Sequence, residues 1–202
     1  MKKTILSAIM VCVSLSGCVS VNAVDGMAPA NVGDDITVAP QIPWAAAGGA
    51  LTGGSAALWT VDGFGLNEMR FITGLTAGDP LLRIPNVERK DMIVYSTTML
   101  PDDVMEMIAG TLGKAGMRQV RTDGLRPVPF GSATGFRFDL TYTTGDGLQM
   151  KGAVLFAQRR NRLDVILFAA PAEYYFDRYI PTVEKVFASV RVPDAPAVRA
   201  GN

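Results

Sequence analysis

Hydrophobic and polar positions alternate most regularly at residues 136 to 143, where Phe136, Phe138, Leu140 and Tyr142 interleave with Arg137, Asp139, Thr141 and Thr143. A period of two places the first set on one face and the second on the other, which predicts an antiparallel strand with one buried face. Gly145-Asp146-Gly147 then turns the chain, and Leu148 to Gln158 runs back. Arg159-Arg160-Asn161-Arg162 makes a second polar turn before Leu163 to Ala170, an almost unbroken apolar strand. Together these segments predict an antiparallel meander.

On either side of the meander the period lengthens. Leu100, Val104, Ile108 and Leu112 stand at fourfold spacing behind Pro101-Asp102-Asp103. This is a helix start, with carboxylates near the positive end of the helix dipole, and Gly113 and Gly116 weaken its far end. After Pro171, residues Phe176, Ile180, Val183, Phe187 and Val190 describe a second apolar stripe. A break is expected near Pro181, because proline inside a helix removes a hydrogen bond and crowds the preceding turn.

Earlier in the chain, Ile36 to Val38, Leu58 to Val61, Leu66 to Leu75 and Met92 to Ser96 read as strands, with Asp62-Gly63 turning between the second and third. Pro40 to Trp44 reads as extended chain whose aromatic packs on the body. Residues 45 to 57 are mostly Ala and Gly, and without Gly-Lys-Ser/Thr or GxGxxG they predict a mobile loop, not a phosphate cradle. The fold class is α+β, an antiparallel β-sheet flanked by helices.

The N-terminus obeys a different grammar. Lys2 and Lys3 precede an apolar run from Thr4 to Leu15, too short for the ~20 residues that span a bilayer. At its end Leu15-Ser16-Gly17-Cys18 resembles, at all four positions, the lipobox of bacterial lipoproteins. That resemblance implies cleavage before Cys18 and lipid attached to its thiol, with palmitate among the acyl chains. The competing reading is an ordinary secretory signal cleaved after Ala23. Val19 is not the Asp that retains many such lipoproteins in the inner membrane, so the resemblance implies the periplasmic face of the outer membrane, with the inner membrane as the alternative. The expected organisation is a signal peptide over residues 1–17, a flexible tether over 18–35, a single α+β domain over 36–192 and a disordered tail over 193–202.

The order helix, three antiparallel strands and a closing helix that ends Val186-Phe187-Ala188-Ser189-Val190-Arg191-Val192 is similar to the end of PsbP-like α/β/α sandwich proteins. The similarity covers residues 90–192. It implies a closing helix laid across the sheet, and it implies no activity, since that family holds assembly factors, adaptors and lipoproteins without shared chemistry.

Composition narrows the function. The chain has 202 residues with 19 basic and 19 acidic side chains, and losing Lys2 and Lys3 leaves 17 basic against 19 acidic. A mildly acidic body argues against nucleic acid as a partner. Histidine is absent, which removes Ser-His-Asp triads, Cys-His dyads and histidine zinc sites. Both cysteines, Cys12 and Cys18, lie near the N-terminus, so the body has no disulfide or thiolate metal site.

The remaining candidates each have a plainer account. Ser132 in Gly131-Ser132-Ala133-Thr134-Gly135 is out of register with a GxSxG nucleophile elbow and fits a turn. The pairs Asp102/Asp103 and Glu173/Asp177 fit helix starts better than acid-base chemistry. Arg159, Arg160 and Arg162 form the local basic cluster, a contact for lipid headgroups or an acidic partner, or simply a charged hairpin tip. Tyr174, Tyr175, Phe176 and Tyr179 make an aromatic patch, an interface or, more simply, helix-to-sheet packing, and the methionines, Met99, Met105, Met107, Met117 and Met150 among them, line an adaptable groove or, more simply, fill core. The expectation is a lipid-anchored, non-catalytic binding or assembly module of the cell envelope, tied to the membrane through Cys18 and to an envelope protein partner. Neither cofactor nor metal is expected. The alternative is a periplasmic carrier or sensor of a hydrophobic small molecule.

Overall fold

In the computed structural model, residues 21–33, 35–47 and 56–192 are described. Cys18, the signal segment and the tail over 193–202 lie outside them, as do residues 48–55 of the Ala/Gly-rich stretch.

The meander is the centre of the molecule. β8 (Ala133–Thr143), β9 (Gln149–Arg159) and β10 (Arg162–Pro171) pair antiparallel, with Phe138 opposite Val154 and Val154 opposite Leu167. On one side the sheet continues through β6 (Glu68–Leu75), β5 (Ala57–Thr60), β4 (Trp44–Ala47) and β1 (Val21–Val24). On the other it ends in β7 (Arg118–Phe130), giving the order β1-β4-β5-β6-β10-β9-β8-β7 among the described residues. Two further short strands, β2 (Ala30–Gly33) and β3 (Ile36–Val38), pair with each other, and Thr37 bridges to Arg191.

Both faces of this sheet are covered, where the alternation in β8 predicts only one buried face. Helix α1 (Pro101–Lys114) lays Val104, Met107, Ile108 and Leu112 on a layer containing Phe138, Leu140, Val154, Phe156 and Val165. Helix α2 (Tyr175–Ala188) lays Tyr179, Val183, Val186 and Phe187 on the opposite layer, with Leu155, Ile166, Phe168, Phe71 and Trp59. β9 and β10 are sandwiched between the helices, which explains their continuous apolar runs. Arg137, expected on a solvent face, is consequently buried beneath α2, with a side chain only 4% exposed.

Several expectations need correction. The segment taken for a flexible tether over 18–35 contains β1 and β2. Val21-Asn22-Ala23-Val24 pairs with Ala47, Ala46, Ala45 and Trp44, and the run of alanines leaves no apolar alternation to read. Residues 92–96 form no strand beyond a bridge between Val94 and Pro80, whose missing N–H limits a ladder. Tyr95 instead drops its ring into the core, and Gln158 Nε2 donates to its hydroxyl at 3.2 Å. Helix α2 runs through Pro181 without a break. Pro181 is exposed, so the carbonyl it leaves unpaired faces water, and Tyr179 and Val183 hold both flanking turns to the sheet. The 13-residue β7 had no sequence-level counterpart. Its Pro127 and Pro129 argue against a central strand, but β7 lies at the edge, where a missing donor is tolerated.

Candidate functional site

Each end of the sheet presents its own set of exposed side chains. At one end lie the start of β1, the end of β6 and the β9–β10 hairpin tip. There Arg159 Nε approaches Asp164 Oδ2 at 2.6 Å, and Asp164 Oδ1 accepts from the Gly74 amide at 2.8 Å. Asp164 is 1% exposed, so the pair pins β9, β10 and β6 from inside. Arg160 and Asn161 turn the chain at φ of 51° and 59°, and Arg160, Asn161 and Arg162 are exposed. Asp35, Arg159, Arg160, Arg162 and Asp164 border a polar cleft of about 340 Å³. The three arginines, adjacent in sequence, divide into one inward and two outward side chains. The signal for that division was Asp164, a lone carboxylate in an apolar strand.

Large apolar side chains reach solvent at both ends, Val21 and Leu100 near the hairpin tip and four more at the opposite end. Met27 follows β1, Leu66 lies between β5 and β6, Leu148 precedes β9, and Tyr174 precedes α2, all exposed. Tyr174 is the most unusual of them. It has φ of 69° and ψ of −57°, the Tyr175 amide donates to the Glu173 carbonyl at 2.8 Å, and the residue is 65% exposed. This is a γ-turn in its rare, strained form, occupied by a bulky residue. Arg178 Nη1 donates to the Tyr174 hydroxyl at 2.7 Å, with its guanidinium 5.4 Å from the Tyr174 ring and 5.2 Å from the Tyr179 ring. Tyr175 meets Tyr174 edge-on at 5.2 Å.

The rim is braced beneath. Buried Asn67 accepts from the Val61 amide at 2.7 Å and from the Thr60 hydroxyl at 3.0 Å, while its Nδ2 donates to Asp62 at 2.7 Å. Burial first, and then the Asp62 carboxylate, push the Tyr179 phenol up to about 12. The loop bearing Leu66 is thereby fixed against the helix bearing Arg178. The aromatic patch of Tyr174, Tyr175 and Tyr179 is legible in the sequence, but the positive φ that turns Tyr174 outward is not.

A second concavity lies under α1. Ile72, Leu82, Leu112, Met117, Tyr142 and Leu167 are among the residues lining about 320 Å³, with Glu68, Arg70 and Arg83 at its border. Glu68 and Arg70 pair at 2.8 Å. Burial, then the Glu68 charge, raises the Tyr142 phenol to about 12.

The other candidates are spread apart. Ser132 is an exposed turn residue between β7 and β8. Asp103 accepts from the Leu100 amide at 2.8 Å, capping α1, and Asp102 is exposed in the same first turn. Asp177 pairs with Lys151 at 3.3 Å, and Glu173 sits in the γ-turn. Phe176 packs on Phe168 at 6.0 Å. Met107 and Met150 are buried, and Met99, Met105 and Met117 pack around the same cluster. Among the described residues no group of three or more Cys, Asp or Glu side chains is placed to hold a metal, and no helix is long and apolar enough to cross a membrane.

Comparison with known proteins gives a fold. No protein-family model matches the chain, and neither does any curated protein. Among solved structures, the chain is similar to the solution structure of cyanobacterial PsbP (CyanoP) from Synechocystis sp. PCC 6803, with 14% identity and a TM-score of 0.54. The match covers 92% of this chain and 99% of that one. The likeness extends well upstream of residue 90, and the fold is PsbP-like.

Proposed function

We propose that this protein is a non-catalytic binding module of the bacterial envelope, anchored by lipid on Cys18, which captures a protein partner with the Tyr174 rim. The observation that carries the reading is the strained γ-turn that holds Tyr174 in solvent beside Arg178. Backbone strain of this kind costs ~1–3 kcal/mol and persists where the surroundings enforce it, often at binding sites. Tyr and Arg are also the residue types enriched at interface hot spots. The lipobox-like Leu15-Ser16-Gly17-Cys18 supports the anchor, and the PsbP-like fold, which carries no fixed chemistry, is compatible with an accessory role. The outer membrane, periplasmic face, is the proposed location.

The test is a photo-crosslinking residue at position 174 in living cells, with one at exposed Lys114 as control, and intact mass of the membrane-extracted protein beside a Cys18→Ser variant. A discrete adduct from position 174 alone, and acyl mass that Cys18→Ser abolishes, is the expected result. Equal or absent crosslinking at both positions sinks the rim, and an unacylated mass sinks the anchor.

The cleft under α1 favours a second reading, a carrier of a hydrophobic small molecule. Its volume and largely apolar walls suit a compact ligand. Native mass spectrometry after mild extraction separates the readings: a bound lipid lost in a Leu112→Trp variant supports the carrier, and a ligand-free mass opposes it.

A further inference from the structure

Val21, three positions after Cys18 in the sequence, and the Arg160/Arg162 hairpin belong to the same end of the sheet. Val21 pairs with Ala47, Ala47 with Leu58, Leu58 with Arg70, and Arg70 with Leu167. From that level β10 runs back to Arg162, which at ~3.4 Å per residue is ~17 Å beyond Val21. Cys18 lies three positions before Val21, a reach of at most ~10 Å even with the chain fully extended. Strand spacing puts the tip ~19 Å across the sheet from β1. The hairpin therefore projects ~7 Å past the furthest level the anchor can attain, comparable to the ~5–8 Å of a headgroup layer.

We infer that the anchored domain stands with its β9–β10 hairpin in the headgroup layer, where Arg160 and Arg162 contact the phosphates of anionic lipids. This rests on the lipid-anchor reading. The tip suits such a surface: Arg160, Asn161 and Arg162 are exposed and polar. Asp35 at the cleft border is the opposing charge. An orientation follows for the other end. Met27, Leu66, Leu148 and Tyr174 face away from the membrane, towards a partner in the aqueous compartment.

The test uses the full acylated protein with Asn161→Cys, whose thiol is the only free one once Cys12 is removed with the signal and Cys18 carries lipid. Labelled with a fluorophore, it is placed in vesicles of phosphatidylcholine alone or mixed equally with phosphatidylglycerol, both with headgroup-nitroxide lipid as quencher. An Asp146→Cys label reports the opposite hairpin. Strong quenching at 161 in the mixed vesicles, weak quenching at 146, and a headgroup-bound fraction about fivefold lower for each of Arg160→Gln and Arg162→Gln is the expected result, equivalent to ~1 kcal/mol per basic residue. Equal quenching at 161 and 146, or no response to the glutamine variants or to phosphatidylglycerol, overturns the orientation while leaving the anchor intact. Intact mass of the same sample reads the anchor separately, and a mass without acyl chains overturns both.

Discussion

Arg137 on β8 is clamped by Glu184 on α2: both Nε, at 3.1 Å, and Nη2, at 2.8 Å, donate to the same carboxylate oxygen. Nη2 also reaches Asp139 at 2.8 Å, Nη1 donates to the Phe138 carbonyl, and the guanidinium lies 5.8 Å from the Phe187 ring. A buried cation so surrounded is expensive to strand. Glu184→Ala is expected to lower stability by ~2 kcal/mol, with Asp139 limiting the loss, while Arg137→Met falls near neutral because both desolvation and pairing disappear. Urea unfolding of the two variants checks the contrast, and equal losses would contradict it.

Tyr174 yields a prediction of opposite sign. Tyr174→Gly relieves the γ-turn, since glycine accepts positive φ without a Cβ penalty, and the variant is expected to be more stable by up to ~1 kcal/mol. Partner crosslinking from a neighbouring position should fall all the same. A variant that is both less stable and fully competent in crosslinking would remove the argument for strain kept in the service of binding.

The alkaline limb of stability has a named source. Tyr142 and Tyr179 are both held neutral in the fold, with pKa values of about 12 against an ordinary 10. The unfolded chain gives up those protons first, so the stabilisation is complete below pH 10 and declines between pH 10 and 12. Tyr142→Phe is expected to flatten this decline, as read by thermal unfolding across the interval. An unchanged slope would mean that other groups govern it.

Gly135 supplies a packing test. A Cβ there would lie 2.8 Å from both the Phe156 carbonyl oxygen and the Phe130 Cβ, one of them backbone of the central strand β9. Gly135→Ala is expected to cost ~1–3 kcal/mol through displacement of β7 or β9. Differential scanning calorimetry decides, and a wild-type transition would show that the edge strand yields freely.

The sequence was legible where one period dominated. The 136–143 alternation, the apolar run after Arg162 and the stripe from Val104 to Leu112 each correspond to an element in the structure. Signals failed where a run of alanines leaves no apolar alternation, as in the pairing of β1 with β4, or where position in the sheet reverses a residue's usual meaning, as for Pro127 and Pro129. Arg137 was misplaced because one strand cannot reveal that a second helix covers its polar side. The basic hairpin is visible as a cluster, but its relation to Val21 emerges only from register carried across neighbouring strands.

The prolines of β7 bear on how copies of the protein would coexist. Molecules held side by side on a membrane share an orientation and a thin layer, conditions under which exposed strands readily join into continuous ribbons. At this border Pro127 and Pro129 offer no amide protons, and Arg118, Arg121 and Arg126 repel their equivalents in a neighbour. The opposite border is four residues long among the described residues. Both borders therefore discourage copies from joining strand to strand as their density rises.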